Sequence, residues 1–286
     1  MEWGGFVTII MKKYHGLGND YLVLDPNKNS IKLDKENIKL ICHRNLGAGS
    51  DGILYGPILE NRKIKVKIYN PDGSEAEKSG NGVRIFSKYL LDEGYVTGKS
   101  FLLSTLGGDV KVEYIEKNGC IVKVDMGKVT FLSNEIPVKG EKREVLNEHM
   151  SFNDKEYNVS CLSIGNPHCV IPMKEVSKEL AIELGPYVEN SDNFPKRINM
   201  QLLQVLDRNN IRIEIYERGA GYTLASGSSS CAAASVAYKL GLVDNDITVH
   251  MPGGELFIQI DQDGMIKMTG PVKKIGTITL DEEFFN

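Results

Sequence analysis

The sequence lacks three features that would have assigned it to a common functional class. No apolar run approaches the roughly 18 residues that a membrane-spanning helix requires. No block of lysine or arginine occurs, and the net charge of −4 argues against nucleic acid as a partner. Five cysteines occur without Cys-x-x-Cys spacing, which argues against both a zinc site and a disulfide framework. We therefore expect reduced thiols in a cytoplasmic protein with no metal and no membrane partner.

A typical signal peptide is also missing. The segment ahead of Met11 has no basic region and is followed by Lys12 and Lys13, so we interpret it as a short leader. The 286 residues are 41% hydrophobic and 25% charged. These values are typical of an ordinary globular protein with one large domain, or with two domains of roughly 100–150 residues each.

The most informative feature that is present is an internal repeat with an offset of 147 residues. The offset places the alternating strand pattern of residues 64–70 on that of residues 211–217. Because further matches fall in different elements and share one register, the sequence predicts a duplicated domain. They include Gly18-Asn19 with Gly165-Asn166 and Ser79-Gly80 with Ser226-Gly227. With a shift of one residue Gly107-Gly108 falls on Gly253-Gly254, and each double glycine leads into a hairpin pattern that turns at Asn118-Gly119 or Asp263-Gly264.

Each half is predicted to contain glycine-turned strands and one buried helix. The two helices begin near Ser79 and Ser226 and are apolar on nearly every side, which is typical of helices in a core. We expect an α+β fold of two pseudo-symmetric halves, each a β-barrel-like sheet around its central helix. The N-terminal half is predicted to cover residues 11–128, with 276–286 as a candidate addition, and the C-terminal half residues 129–275.

Ser79 and Ser226 each lie where an extended stretch becomes a buried helix. Serine is a preferred N-cap, so capping alone explains each one singly. The free backbone N–H groups of a helix start, with glycine allowing close approach, also form an anion site. The duplication favours a functional pair, in which a carboxylate lies between two helix starts with one hydroxyl on each side of its α-carbon.

Other polar residues lie at the ends of strands. Each asparagine is equally well explained as a local turn residue, Arg218 as a member of a surface ion pair, and His168 as a loop histidine. The residues with this double interpretation are Asn19, Asn70, Asn166, His168, Asn199, Glu217 and Arg218.

These residues lie in motifs that resemble the diaminopimelate epimerase family, and the resemblance extends from about Met11 to Leu280. The motifs together are highly specific. They are His15-Gly16-Leu17-Gly18-Asn19-Asp20, Asn70-Pro71-Asp72-Gly73-Ser74-Glu75, Gly80-Asn81-Gly82, Gly165-Asn166-Pro167-His168, Glu217-Arg218-Gly219-Ala220-Gly221 and Met251-Pro252-Gly253-Gly254.

The resemblance implies two similar β-barrel-like halves around central helices and a homodimer that uses no cofactor. It implies inversion at an amino-acid α-carbon between two opposed cysteines, one acting as a thiolate base and the other as a thiol acid. By motif position, the reacting carboxylate would be bound by backbone N–H groups of Gly80, Asn81, Gly227 and Ser228. The distal amino-acid end would be bound by Asn19, Asn70, Asn166, Asn199, Glu217 and Arg218.

The chain departs from the family pattern at both cysteine positions, which are Ser79 and Ser226. A thiolate is available near neutral pH, especially at a helix N-terminus, whereas a serine hydroxyl needs an adjacent base. Two-base epimerisation should therefore be impaired unless another group supplies the base. The candidates within the motifs are His15, His168 and Glu217. Cys231 lies more than one helical turn past Ser226 and is not interpreted as a displaced nucleophile.

Residues next to the serines also differ from the family pattern, with Lys78 before Ser79 and Leu224, Ser229 and Ser230 around Ser226. This indicates natural divergence rather than an engineered change. The first hypothesis is an epimerase or racemase that converts LL- to meso-diaminopimelate in lysine and cell-wall precursor synthesis. The alternatives are a dehydratase or double-bond isomerase acting on another small acid, and a catalytically silent ligand-binding paralogue.

Overall fold

The computed structural model describes residues 8–31 and 33–285, so most of the expected leader lies outside the described residues. The chain divides into two compact units. The first comprises the described residues up to Val124 together with those from Pro271 onward, and the second comprises Asp125–Gly270. The division falls inside a strand, ahead of residue 128 where the sequence analysis placed it. Among the described helices, none combines the length and the apolar character needed to cross a bilayer.

The first unit consists of strands interrupted by two helices. In chain order its elements are β1 (Ile9–Gly16), β2 (Asn19–Leu24), α1 (Lys35–Cys42), β3 (Ile53–Glu60), β4 (Lys63–Tyr69), β5 (Glu75–Ala76), α2 (Gly80–Asp92), β6 (Ser100–Thr105), β7 (Gly108–Tyr114) and β8 (Ile121–Gly127), whose last residues belong to the second unit.

The second unit repeats this order after one additional strand. Its elements are β9 (Glu148–Phe152), β10 (Lys155–Ser163), β11 (Pro167–Pro172), α3 (Lys178–Glu189), β12 (Asn199–Asp207), β13 (Asn210–Glu217), β14 (Gly221–Thr223), α4 (Gly227–Lys239), β15 (Asp246–Met251), β16 (Gly254–Ile260) and β17 (Ile266–Pro271). The chain then returns to the first unit with β18 (Lys273–Leu280) and a short 3₁₀ helix (Glu282–Phe285).

The two units share one pattern of strand pairing. In the first, β1 pairs antiparallel with β2, β2 parallel with β3 across α1, β3 antiparallel with β4, and β4 parallel with β6 across α2. In the second, β10, β11, β12, β13 and β15 pair in the same order and senses across α3 and α4. An additional strand flanks each unit, since β18 pairs with β1 and β9 with β10. The duplicated α+β fold is therefore confirmed.

The helices α2 and α4 occupy the interior of their units, as predicted. Both begin and end at positions that the 147-residue offset aligns. Residues 80–90 of α2 are all buried, as are most residues of α4. α2 packs against β1, β2 and β3, whereas α4 packs against β10, β11, β12, β13, β15 and β16. Each helix start is thereby fixed by the packing of an entire apolar helix.

The far end of α2 is anchored by a buried carboxylate. The hydroxyls of Tyr89 and Tyr95 both donate to Asp25 Oδ2 at 2.6 Å, where β2 has just ended. Burial, together with the hydrogen bond to this carboxylate, raises the pKa of Tyr95 to about 12. The hydroxyls therefore stay protonated as donors, and the contact fixes the position of α2 along its axis.

Packing between α3 and β13 supplies a first prediction. A Cβ on Gly185 would lie 2.2 Å from the Tyr216 ring, so Gly185→Ala forces the helix away from the strand. Overpacking of this kind typically costs about 1–3 kcal/mol. Urea unfolding should show a loss of stability in that range. Gly276→Ala is the matched control, because a Cβ there meets no atom within 4 Å, and equal stabilities of the two variants would contradict the packing.

Candidate functional site

Ser79 caps the N-terminus of α2. Its backbone is extended, with φ −137° and ψ 118°, and its Oγ accepts a hydrogen bond from the Gly82 N–H at 3.0 Å. The cap satisfies one of the four donors that a helix start leaves without intrahelical partners. The helix dipole also places partial positive charge beside this hydroxyl. Tyr21 Oη lies 3.4 Å from the same oxygen.

Ser226 caps α4 in nearly the same way. Its φ of −145° and ψ of 128° match those of Ser79, and its Oγ accepts from the Ser229 N–H at 3.4 Å. The equivalence extends to the residues that follow, because Gly80-Asn81 and Gly227-Ser228 occupy the first turns of their helices. Each unit therefore contains a serine-capped helix start of the type that binds anions.

A second feature repeats beside each helix start. In the first unit, Asn81 Nδ2 donates to Asn19 Oδ1 at 3.0 Å. In the second, Asn166 Nδ2 donates to Ser228 Oγ at 3.3 Å. The 147-residue offset aligns these two pairs residue for residue. The fold thus brings four of the predicted site residues next to the two capping serines, two in each unit.

A buried histidine lies behind the second helix start. His168 has no exposed surface; its Nε2 lies 3.0 Å from Asn166 Oδ1, and its Nδ1 lies 3.2 Å from Gln201 Oε1. Gln201 Nε2 in turn donates to Ser229 Oγ at 3.0 Å. Burial lowers the pKa of His168 to about 3; the hydrogen bond with Gln201 opposes this shift, and the charge of Arg218 adds to it.

The neutral state of His168 determines what it can do. A neutral imidazole carries one N–H, so it can donate to only one of the two amide oxygens that face it, Asn166 Oδ1 or Gln201 Oε1. It also makes a weak base, because its protonated form has lost its hydration. Asn166, Ser228 Oγ and Ser226 Oγ continue the network, and the two serine oxygens are 3.5 Å apart. His168 therefore orients side chains next to Ser226.

Asn199 and Arg218 are also brought together. Asn199 Nδ2 donates to the Pro167 carbonyl at 2.7 Å, and its Oδ1 accepts from the Arg218 backbone N–H at 3.0 Å. The exposed Arg218 guanidinium donates to the Lys196 carbonyl at 3.0 Å. Within the described part of the chain it forms no ion pair with a carboxylate, so the alternative of a surface ion pair loses its support. Glu217 lies at the end of β13 and is half-buried.

Asn70 behaves differently from the other predicted asparagines. It follows β4, and its Nδ2 donates to Ser74 Oγ at 2.9 Å within the turn that begins at Pro71. Its backbone N–H also binds the Ser74 carbonyl at 2.9 Å. Local turn geometry therefore accounts for the contacts of Asn70. Cys231 is fully buried inside α4, as its position past Ser226 led us to expect.

The sequence analysis assigned no role to three polar residues beside the helix starts: Arg84, Gln201 and Ser229. The internal repeat contained a signal for two of them. The offset aligns Gln201 with Leu54 and Ser229 with Gly82, so a packing contact between Leu54 and Gly82 in one unit becomes a buried hydrogen bond in the other. Arg84 was visible as the one charged residue on the first two turns of an otherwise apolar helix.

The buried histidine generates a prediction about pH. The unfolded chain binds a proton on His168 near its ordinary pKa of about 6.5, whereas the folded chain does so only near 3. The free energy of unfolding therefore falls as the pH drops from about 6.5 towards 3. His168→Gln removes this contribution and should flatten the decline, as measured by urea unfolding at about pH 7.5 and 4.5. The exposed His149→Gln variant is the control, and parallel profiles of His168→Gln and wild type would contradict the burial.

Comparisons with known proteins identify the family of the chain. A family model described as diaminopimelate epimerase matches residues 11–132 and 160–275. The chain is 52% identical over 274 residues to diaminopimelate epimerase 2 of Nostoc sp., covering 96% of each. It is 36% identical to the diaminopimelate epimerase of Moorella thermoacetica, covering 94% of this chain and 99% of the relative.

Solved structures share the fold at low sequence identity. A hydroxyproline epimerase from Agrobacterium vitis with bound trans-4-hydroxy-L-proline superposes with a TM-score of 0.71 at 14% identity, covering 100% of this chain and 94% of that one. A methylitaconate Δ-isomerase superposes with a TM-score of 0.65 at 12% identity, covering 99% and 98%. The family model and the curated relatives together span nearly the whole sequence, and the chain belongs to the diaminopimelate epimerase family.

Proposed function

We propose that this protein is a cofactor-independent isomerase that inverts the α-carbon of diaminopimelate from the LL to the meso form, a step of lysine and cell-wall precursor synthesis. The observation that supports it most strongly is the repetition of a serine-capped helix start at equivalent positions of the two units, with an asparagine hydrogen-bonded to the second residue of each helix. The family to which the chain belongs is named for this activity.

In the proposed reaction, the reacting carboxylate accepts hydrogen bonds from the backbone N–H groups of Gly80, Asn81, Gly227 and Ser228. Removal of the α-proton moves negative charge onto this carboxylate. Donors and helix dipoles that are already in place stabilise such charge without having to reorganise during the reaction. The N-termini of α2 and α4 are suited to this role because buried helices hold their N–H groups in fixed directions.

The distal amino-acid end is proposed to bind Asn19, Asn70, Asn166, Asn199, Glu217 and Arg218. A zwitterionic end needs both hydrogen-bond acceptors for its ammonium and donors for its carboxylate. This set of side chains offers amide oxygens and a carboxylate for the first, and amide N–H groups and a guanidinium for the second. Arg218 is exposed and has no acidic partner within the described residues, which leaves its charge available to a carboxylate.

Proton transfer is proposed to run through Ser79 and Ser226, directly or by way of a water molecule. A hydroxyl needs an adjacent base to accept the α-proton. His168 is a poor candidate, because it is buried and its pKa lies at about 3. His15 and Glu217 remain. His15 Nδ1 accepts the Gly18 N–H at 3.2 Å, so in the neutral ring Nε2 carries the proton, and His15 would have to release the Gly18 contact to act as a base through Nδ1.

We further propose that the protein acts as a homodimer in the cytoplasm, with a small amino acid or related acid as its ligand. A specific observation favours a second function. Serine at both proton-transfer positions weakens acid–base chemistry while leaving the binding residues in place, as expected of a ligand-binding paralogue. A dehydratase or double-bond isomerase is the third candidate, and the fold is shared with a methylitaconate Δ-isomerase.

Incubation in D₂O separates these candidates. The protein is mixed with LL- or meso-diaminopimelate, and deuterium at the α-carbon and chirality are followed by mass spectrometry and chiral chromatography. Epimerase activity predicts deuterium incorporation together with inversion. A dehydratase or double-bond isomerase acts on another small acid and would leave diaminopimelate without deuterium and without inversion. Binding in calorimetry without deuterium incorporation would establish the paralogue instead.

The charge of Arg218 supplies a prediction for binding. Arg218→Ala removes a charge-assisted donor to the distal carboxylate, which is typically worth about 1.5–3 kcal/mol. Calorimetry with meso-diaminopimelate should show weaker binding by that amount. The exposed strand residue Arg212 is the control, and Arg212→Ala should bind as the wild type does. Unchanged affinity of Arg218→Ala would remove Arg218 from the ligand site.

The serines supply the decisive prediction for chemistry. Ser79→Cys with Ser226→Cys should create or raise diaminopimelate epimerase activity, because a thiolate forms near neutral pH where a hydroxyl does not ionise. One positioned acid–base group typically contributes about 10²–10⁴-fold. The two single variants are the controls and should gain little, since each face of the α-carbon needs its own group.

Two results of that experiment would contradict the proposal. A folded double variant that binds diaminopimelate but exchanges no α-proton would refute the proposed geometry. Loss of an activity that the wild type possesses would make the serines the working groups, and the dehydratase or double-bond isomerase would replace the epimerase.

A further inference from the structure

We infer that Arg84 is a positioning residue that fixes which way the side-chain amides of Asn81 and Asn19 point. It does so through a chain of hydrogen bonds that ends on the carboxylate of Asp51. This inference rests on the proposed function, in which Asn19 and Asn81 contact the substrate. All of these residues lie in the first unit.

The chain consists of three consecutive hydrogen bonds with ordinary lengths. Arg84 Nη2 donates to Asn81 Oδ1 at 2.8 Å. Asn81 Nδ2 donates to Asn19 Oδ1 at 3.0 Å. Asn19 Nδ2 donates to Asp51 Oδ2 at 2.9 Å. The residues are distant in sequence, but α2, the start of β2 and the loop before β3 bring them into contact.

The two ends determine the direction of every bond between them. A guanidinium can only donate and an ionised carboxylate can only accept. Asn81 must therefore turn its oxygen towards Arg84 and its NH₂ towards Asn19. Asn19 must then receive that donor on its oxygen and present its own NH₂ to Asp51. Reversing either amide would place two acceptors or two donors against each other.

Burial makes this direction rigid at the arginine end. Arg84 has no exposed surface and Asn81 is 5% exposed, so water cannot substitute for a misdirected hydrogen bond. Arg84 Nη1 also donates to the Gly80 carbonyl at 3.3 Å. Gly16 leaves room for the guanidinium, because a Cβ there would lie 3.2 Å from Arg84 Nη2.

Further charges hold the carboxylate end. Asp51 accepts from the Asp20 backbone N–H at 3.0 Å and from Arg44 Nη2 at 2.6 Å. Arg44 and Lys13 also contact Asp20 at 2.8 and 2.9 Å. Burial alone would raise the pKa of the Asp20 carboxyl, but its hydrogen bonds with Arg44 and Lys13 outweigh burial and lower it. Negative charge is therefore retained at this end.

The second unit lacks this device. The 147-residue offset aligns Arg84 with Cys231 and Asn81 with Ser228. Ser228 can donate or accept through one rotating hydroxyl, so its partner Asn166 has no imposed direction from that side. In the first unit the Asn19 amide has a fixed orientation. Its second N–H and the second lone pair of its oxygen therefore point in fixed directions. A ligand with a neighbouring acceptor and donor, such as an α-amino acid end, can use such a pattern.

The main test replaces Arg84 and measures ligand binding and turnover separately. Arg84→Met removes the donor while keeping most of the side-chain volume. We expect KM and the calorimetric Kd for meso-diaminopimelate to rise by about 10- to 100-fold, as for loss of one charge-assisted contact. We expect a smaller change in kcat. Arg84→Lys restores a donor and should recover part of the affinity. Arg212→Met, at an exposed strand position, is the matched control and should change nothing.

An exchange of acceptor and donor tests direction itself. Asn81→Asp is isosteric and pairs well with Arg84, yet it cannot donate to Asn19 and forces that amide to turn against Asp51. Adding Asp51→Asn supplies the missing donor with the direction of the chain reversed. We expect the melting temperature lost by Asn81→Asp to be partly recovered in the double variant. Affinity should not recover, because Asn19 then presents its amide the wrong way round. Asp51→Asn alone is the control.

The outcomes keep this inference separate from the proposed function. If the wild type binds no diaminopimelate, the proposed function fails. The melting temperatures of the variants still test whether the series of hydrogen bonds from Arg84 to Asp51 exists. Coupling between Arg84→Met and Asp51→Asn, which do not touch, should make their combined loss smaller than the sum of the two. Simple addition of the two losses would overturn the chain. Equal losses of affinity and of stability across all variants would reduce Arg84 to a packing residue.

Discussion

A capping serine accepts a hydrogen bond from one N–H group at a helix start. The other N–H groups of the first turn still need acceptors, and the interpretation of the candidate site depends on what those acceptors are. The N–H groups in the first turns of α2 and α4 point in fixed directions, because both helices are buried along almost their whole length. Donors held in this way favour an anion, since the dipole adds partial positive charge at the same point. The remaining residues of each unit can then be understood as partners arranged around a fixed set of N–H groups.

Replacing a thiol by a hydroxyl at these caps separates binding from proton transfer. Both groups can accept the cap hydrogen bond, the thiol sulfur more weakly than the hydroxyl oxygen, so the helix start forms with either. Ionisation depends on the substitution, because a hydroxyl holds its proton far more tightly than a thiol. Asn19, Asn166 and Asn199 each make defined hydrogen bonds within their own unit. Proton transfer at a hydroxyl therefore needs an adjacent base, whereas the cap hydrogen bond does not.

Much of the fold could be predicted from the sequence because the repeat is a local signal at each position. Alternating strands, turn glycines and apolar helices can each be recognised from a few neighbouring residues. The 147-residue offset shows each pattern a second time, and the first and last residues of α2 and α4 are aligned by the same offset. The polar network could not be predicted in this way. Tertiary packing alone brings together Arg84, Asn81, Asn19 and Asp51. Gln201 and His168 are hydrogen-bonded between the neighbouring strands β12 and β11. Asn70 shows the opposite case, because its turn explains its contacts without any distant partner.

The duplication also gives differences between the units a meaning that a single domain would not offer. Equivalent positions share the same backbone, so a change of side chain there is not required by the fold. In one unit a buried guanidinium imposes a direction on two amides, and in the other a neutral histidine is shared between Asn166 and Gln201. The first arrangement is fixed by charge, whereas the second can exchange donor and acceptor by a change of tautomer or by an amide rotation. The two units therefore place chemically different surroundings at equivalent positions of the same fold.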